Sequence, residues 1–147
     1  ASHFDGYRRQ VQPVSEAKLL RLWEDHQRKL KRNLCEGALL LDCHSFPQDM
    51  GDVDVCIGFN EDWSKPSKEL LEYAVNLFED NGYSVGINYP YSNSEAPACP
   101  FTYQSMMLEV NKRVYLEHRS AYLKMQNDKK RSIRQVVNQL LETVTLS

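Results

Sequence analysis

The sequence predicts a layered α/β fold, a mixed and mostly buried sheet flanked by helices, in a single α/β domain over residues 1–147. Three observations carry that expectation. Apolar residues recur at helical spacing in three separate stretches, runs of strand length and strand pattern lie between them, and the order reads α, β, β, α, β, β, α. Hydrophobic residues make up 41% and charged residues 26%, a globular balance that excludes disorder and fibrous repeats. A chain of 147 residues buries one sizeable core, so one functional site is expected.

Taking the elements in order, residues 15–34 form the first helix. Leu19, Leu20, Leu22, Trp23, Leu30 and Leu34 recur at helical spacing, Pro13 precedes them and Ser15 is an N-cap residue. Its outer face carries Arg21, Arg28, Lys29, Lys31 and Arg32, broken by Glu24 and Asp25. Such a run serves either as a basic docking surface or, more commonly, as a solvated helix face. Residues 37–43 are nearly continuous in apolar side chains, the pattern of a strand covered on both faces, and Pro47 stops further pairing. A second short strand is expected over 53–59. Ser64, with Pro66 behind it, opens a helix whose stripe is Leu70, Leu71, Ala74, Val75, Leu77 and Phe78 and which ends at Asn81 and Gly82. Residues 83–88 read as a third strand, and 88–100 as a long surface loop rich in Pro, Ser and Asn, the kind that often acts as a functional lid. A fourth strand spans 104–115 and a last helix 132–145, while 124–131, KMQNDKKR, reads as a linker.

Several function classes fall away at this level. A formal net charge of −2 and a pI near 6.1 leave no electrostatic footprint for nucleic acid. The longest uninterrupted apolar run, 38–41, is far short of the roughly 18–20 residues of a membrane span, and the first ten residues lack a signal-peptide core. A cytoplasmic protein with no membrane partner is expected. Cys35, Cys43, Cys56 and Cys99 form no CxxC pair and read as reduced, structural thiols. No GxSxG motif accompanies Ser45.

The chemistry concentrates in two places. In a strand, residues two apart share a face, so Asp42 and His44 should point one way and Cys43 and Ser45 the other. His44 falls near the carboxyl end of its strand, where α/β sheets collect ligands. Its imidazole could ligate a metal with a carboxylate fixing the tautomer, or it could be a half-buried histidine hydrogen-bonded to Asp42. Glu109 stands in the middle of the apolar run SMMLEVNKRVY, where a charge costs several kcal/mol unless it meets a partner, a metal or a raised pKa. General acid/base work and a salt bridge to Lys112, Arg113 or a neighbouring strand are both open. Asn111 should share Glu109's face and Arg113 lie one step along it. Asn88, Tyr89 and Tyr91 flank Pro90, where a phenol or an amide could orient a polar substrate or simply cover the core.

Four segments, LLLDCHSFP, DVDVCIGFN, GYSVGINYPYSNSEAP and MMLEVNKRVYL, resemble in order and wording the N-formylglutamate amidohydrolase family, from about Leu39 to Leu116. The resemblance implies a zinc carboxypeptidase-like fold and a zinc-dependent amidohydrolase. Such an enzyme would hydrolyse N-formyl-L-glutamate or a similar small-molecule N-acyl amino acid to the free amino acid and a carboxylic acid. It further implies His44 as a zinc ligand, Glu109 as general base and acid, and Asp42 and Ser45 behind them. Asn88, Tyr91, Asn111 and Arg113 would then line the substrate pocket. The family's other two ligands come from an earlier segment, and no HxxE is present: His3, His26, His44 and His118 are followed three places on by Gly6, Lys29, Pro47 and Ala121. A single histidine cannot hold catalytic zinc. The chain is therefore expected to be the C-terminal part of a longer enzyme, its remaining ligands upstream, or a shortened relative. The corresponding alternative function is a metal-free carboxylate- or partner-binding domain of the same fold. The loop after Tyr91 reads SNSEAP where the family has a pair of glycines. An incomplete sheet exposes an edge, so a homo-oligomer is also expected.

Overall fold

The computed structural model describes residues 3–4, 7–8, 15–115 and 132–146, with side chains described for 15–115 and 132–143. The segment 124–131 and the position of His118 lie outside the described residues. By contact the chain divides into two compact units, 1–34 and 35–147.

In the first unit a two-residue antiparallel pair, β1 (His3–Phe4) and β2 (Tyr7–Arg8), precedes the helix α1 (Glu16–Asn33). Ser15 caps α1 as the sequence predicts, its Oγ accepting from the Lys18 amide at 3.2 Å. Glu16 in the first turn and Lys31 and Arg32 in the last complement the helix dipole. α1 has no buried residue: Leu19, Leu20, Leu22 and Trp23 are exposed, and Leu30 and Leu34 are half-buried.

The second unit holds β3 (Leu39–Phe46), β4 (Val55–Gly58), α2 (Lys68–Asp80), β5 (Val85–Ile87), β6 (Gln104–Asn111) and α3 (Ile133–Leu146). The four longer strands make one mixed sheet in the order β3-β6-β4-β5, with β3 parallel to β6, β6 antiparallel to β4, and β4 parallel to β5. The expected mixed sheet flanked by helices is therefore present. Its main core lies on one face, where Val55, Ile57, Met106 and Leu108 meet Ala74, Leu77 and Phe78 of α2 and Val136 and Leu140 of α3. Each of the larger side chains contributes about 1.5–3 kcal/mol by leaving water. On the opposite face a smaller cluster of Phe46, Cys56 and Met107 packs with Val53 and Tyr91.

Several boundaries differ from expectation, three of them for a clear local reason. β3 does not stop at Cys43 but stays in register with β6 through Ser45↔Val110 and Phe46↔Asn111, and ends where Pro47 removes a donor. α2 begins after Ser67, whose Oγ accepts from the Leu70 amide; Ser64 is instead buried in a turn, its amide and Oγ donating to Asp62 Oδ1 at 2.8 and 2.6 Å. β6 ends at Asn111 because that side chain accepts from the Arg113 amide at 2.9 Å and turns residues 112–114 into a single 3-10 turn. Among the described residues no helix is long and apolar enough to cross a membrane.

Candidate active site

Strand register alone assembles the site. Parallel pairing sets His44 beside Glu109 and Asp42 beside Met107, and the antiparallel pairing of β6 with β4 sets Cys56 on the other side of Glu109. His44, Glu109 and Cys56 thus form one row across three strands, on the face opposite α2 and α3. Alternation sends Cys43 and Ser45 to the helix-covered face, as the spacing predicts, so Ser45 does not join Asp42 and His44.

The Asp42 carboxylate is largely buried while the imidazole is half exposed, and His44 Nε2 lies 2.6 Å from Asp42 Oδ1. That contact orients the ring and leaves Nδ1 as the nitrogen able to take a ligand. Glu109 is the strained member. Burial pushes its carboxyl pKa above the usual range, His44 pulls it down and Asp42 pushes it up again. Among the described residues its buried Oε2 has no hydrogen-bond partner. A buried, orphaned carboxylate oxygen costs about 1–3 kcal/mol, and a fold keeps such a group only against a compensating use. Beside it on β4, Cys56 is fully buried; burial raises its thiol pKa, and its Sγ donates to the Tyr91 carbonyl at 3.1 Å.

Residues 88–103 cover part of this face. Tyr91 lies edge-on to Phe46 at 5.7 Å between ring centroids. The loop seats on two glycines that the sequence reading passed over. A Cβ at Gly58 would come within 2.7 Å of the Asn93 carbonyl oxygen, and one at Gly86 within 2.4 Å of that of Tyr89. The glycines that permit close approach are thus on the strands, not in the SNSEAP loop, and a lone glycine inside a strand is the signal that would have found them. Asn60, Ser94 and Ser105, which tie the same loop down, were missed as well, since polar residues in a loop look alike until their partners are known.

Three further predicted site residues, Asn88, Asn111 and Arg113, bond to the framework. Asn88, at φ 50°, donates its amide to the Ile57 carbonyl at 2.8 Å and accepts from the Phe59 amide at 2.9 Å, closing β5 onto β4. Asn111 is fully buried and donates to the carbonyls of Val53 and Gly51 at 3.1 and 3.3 Å. Arg113 pairs with Asp54 at 3.0 Å and with Asp52 at 3.4 Å. Among the described residues no group of three or more His, Cys, Asp or Glu converges to hold a metal ion. What the structure offers a metal is one imidazole nitrogen, an orienting carboxylate and a nearby orphaned carboxyl oxygen. These fit one ligand and its surroundings, and a full donor set would need groups beyond the described residues.

The family model for N-formylglutamate amidohydrolase matches residues 4–116. The chain belongs to that family. A crystal structure of an N-formylglutamate amidohydrolase from Ralstonia eutropha JMP134 has a similar fold, with a TM-score of 0.52 and 17% sequence identity. The likeness covers 88% of this chain and 50% of that one, so the chain spans about half the length of the solved relative. No curated protein matches the sequence significantly. Among the residues described, the family match takes in Asp42, His44, Glu109 and the loop that covers them.

Proposed function

We propose that the open face of the sheet is the acid/base portion of a zinc-dependent amidohydrolase acting on N-formyl-L-glutamate or a similar small-molecule N-acyl amino acid. One observation carries the reading: a partly buried glutamate with an orphaned oxygen and a raised pKa stands in register beside a histidine that a carboxylate orients, in a chain of this family. Zinc, when bound, would polarise the acyl oxygen and lower the pKa of a water bound to it. His44 would contribute one ligand through Nδ1, with Asp42 holding the ring through Nε2. Glu109 takes a proton from the attacking water as its oxygen bonds to the acyl carbon. It then passes that proton to the amine nitrogen as the C–N bond breaks, giving the free amino acid and a carboxylic acid. Its raised pKa suits both halves of that exchange, since the carboxylate is a stronger base towards the water and, once protonated, holds the proton nearer neutral pH until the amine takes it. Tyr91, held on Phe46, lines the substrate side.

The test compares hydrolysis of N-formyl-L-glutamate and zinc content in this chain and in the longest polypeptide its gene encodes. Stoichiometric zinc and activity in the longer protein are expected. His44→Ala should lose both, and Glu109→Gln should keep the zinc and lose about 100- to 10,000-fold in kcat. Undiminished hydrolysis in His44→Ala, or no zinc in either polypeptide, refutes the reading and turns the face into a metal-free binding surface.

A further inference from the structure

Ser105 lies on the open face of β6, four residues before Glu109, and is fully buried. A hydroxyl in that position needs partners, and it has two in the covering loop: its Oγ donates to the Glu95 carbonyl at 2.6 Å and lies 2.6 Å from Ser94 Oγ. Asn60 grips the same point from the other side, its Nδ2 donating to the Ser94 carbonyl at 2.9 Å and its Oδ1 accepting from the Ser94 amide at 3.1 Å. Residues 94 and 95 are thereby fixed to β6 and to the end of β4. The consequence falls on Asp42. The Glu95 amide points at Asp42 Oδ2 from 3.4 Å, and Asp42 Oδ1 is the atom that meets His44 Nε2.

We propose that Ser105 is a positioning residue: through the backbone of Glu95, whose carbonyl it binds and whose amide faces Asp42, it holds the Asp42 carboxylate so that His44 keeps its proton on Nε2 and presents Nδ1 as the free nitrogen. The proposal deepens the hydrolase reading, since it gives the loop anchored over the site a task there. Its direct consequence is a tautomer, which can be read without any turnover. A side chain that only stabilised the loop would leave that tautomer alone.

The experiment uses the full 147-residue chain, metal-free, at a pH where imidazole is neutral, with long-range 1H–15N NMR of the His44 ring and hydrogen exchange of the Glu95 amide. Ser105→Ala is expected to lower the Nε2–H share of the tautomers and to speed Glu95 exchange about tenfold, the effect of losing one hydrogen bond. Tyr103→Phe is the control, because it frees the same loop elsewhere by removing the Tyr103 hydroxyl bond to the Pro97 carbonyl, 2.5 Å long. It should change neither signal. An unchanged His44 tautomer in Ser105→Ala, or an equal change in Tyr103→Phe, overturns the proposal. Should Ser105→Ala fail to fold, Ser105→Cys, whose thiol is only a weak donor to the Glu95 carbonyl, carries the same expectation and the same refutation. A protein that hydrolyses nothing yet shows the tautomer shift upholds the clamp while sinking the hydrolase reading, so the two fail separately.

Discussion

Glu109→Gln should make the folded chain more stable at pH 8, although it removes the residue on which catalysis is proposed to depend. The carboxyl pKa of Glu109 is raised, chiefly by burial, so the folded state holds the proton more tightly than the unfolded chain does. Stability contributed at this site is therefore complete at acid pH. It falls as pH rises through the ordinary carboxylate value, near 4.3, and levels off above the folded pKa. Glutamine carries no charge and pays no such penalty. The size follows from the orphaned Oε2, one buried acceptor without a partner, worth about 1–3 kcal/mol when ionised and reduced by the attraction of His44. A gain of about 1 kcal/mol at pH 8 moves the urea midpoint up by about 0.3–1 M for slopes of about 1–3 kcal/mol per M. Near pH 4 the difference should shrink towards zero. Urea titrations followed by circular dichroism at both pH values check it. A variant no more stable than the parent at pH 8, or a difference that does not grow with pH, would refute the claim that this carboxylate is held against its preference.

Gly86→Ala puts a Cβ 2.4 Å from the Tyr89 carbonyl oxygen and should cost about 1–3 kcal/mol, read as a melting temperature lower by several degrees; an unchanged melting point would mean that the loop does not rest on the strand. Arg113→Ala breaks a partly buried pair with Asp54 and should cost about 1 kcal/mol in urea unfolding, with KM for an N-acyl amino acid unchanged in an active full-length enzyme. A raised KM at full stability would return Arg113 to the substrate pocket. Burial first, then the nearby Cys99, Glu95 and Asp62, push the Tyr103 phenol up to about 12. The folded state thus keeps that proton longer than the unfolded chain, and stability should fall as pH rises from about 10 towards 12. Ultraviolet titration at alkaline pH should show a late step that Tyr103→Phe abolishes, and identical curves would contradict the burial argument.

Which residues share a face was legible in the sequence, because alternation in a strand is a local rule. Alternation alone pairs Asp42 with His44 and sets Cys43 and Ser45 against them, as the register confirms. The neighbour of His44 was not legible. That Glu109 lies beside it depends on β3 pairing in parallel with a strand 65 residues later, with β6 inserted between β3 and β4, and no local pattern encodes such a choice. Element ends failed where side chains compete for backbone groups. Ser64 looks like a helix cap but is taken by Asp62, and Asn111 looks like a strand residue but caps the turn that ends the strand.

The same competition explains why Asn88, Asn111 and Arg113 read as binding residues from sequence. Polar side chains at the ends of buried strands serve either a ligand or the strand ends themselves, and composition cannot separate the two uses. Here the strand ends take them: Asn88 closes β5 on β4, Asn111 terminates β6, and Arg113 neutralises Asp54 at the start of β4. Glu109 behaves in the opposite way, with an oxygen that none of its described neighbours satisfies. A framework that pairs its other strand-end polar groups and, among the described residues, leaves that oxygen unpaired supports the proposed entry of an outside group, water, metal or substrate, at Glu109. The chemistry of this face is therefore to be sought at Glu109 and His44, ahead of the more numerous polar residues around them.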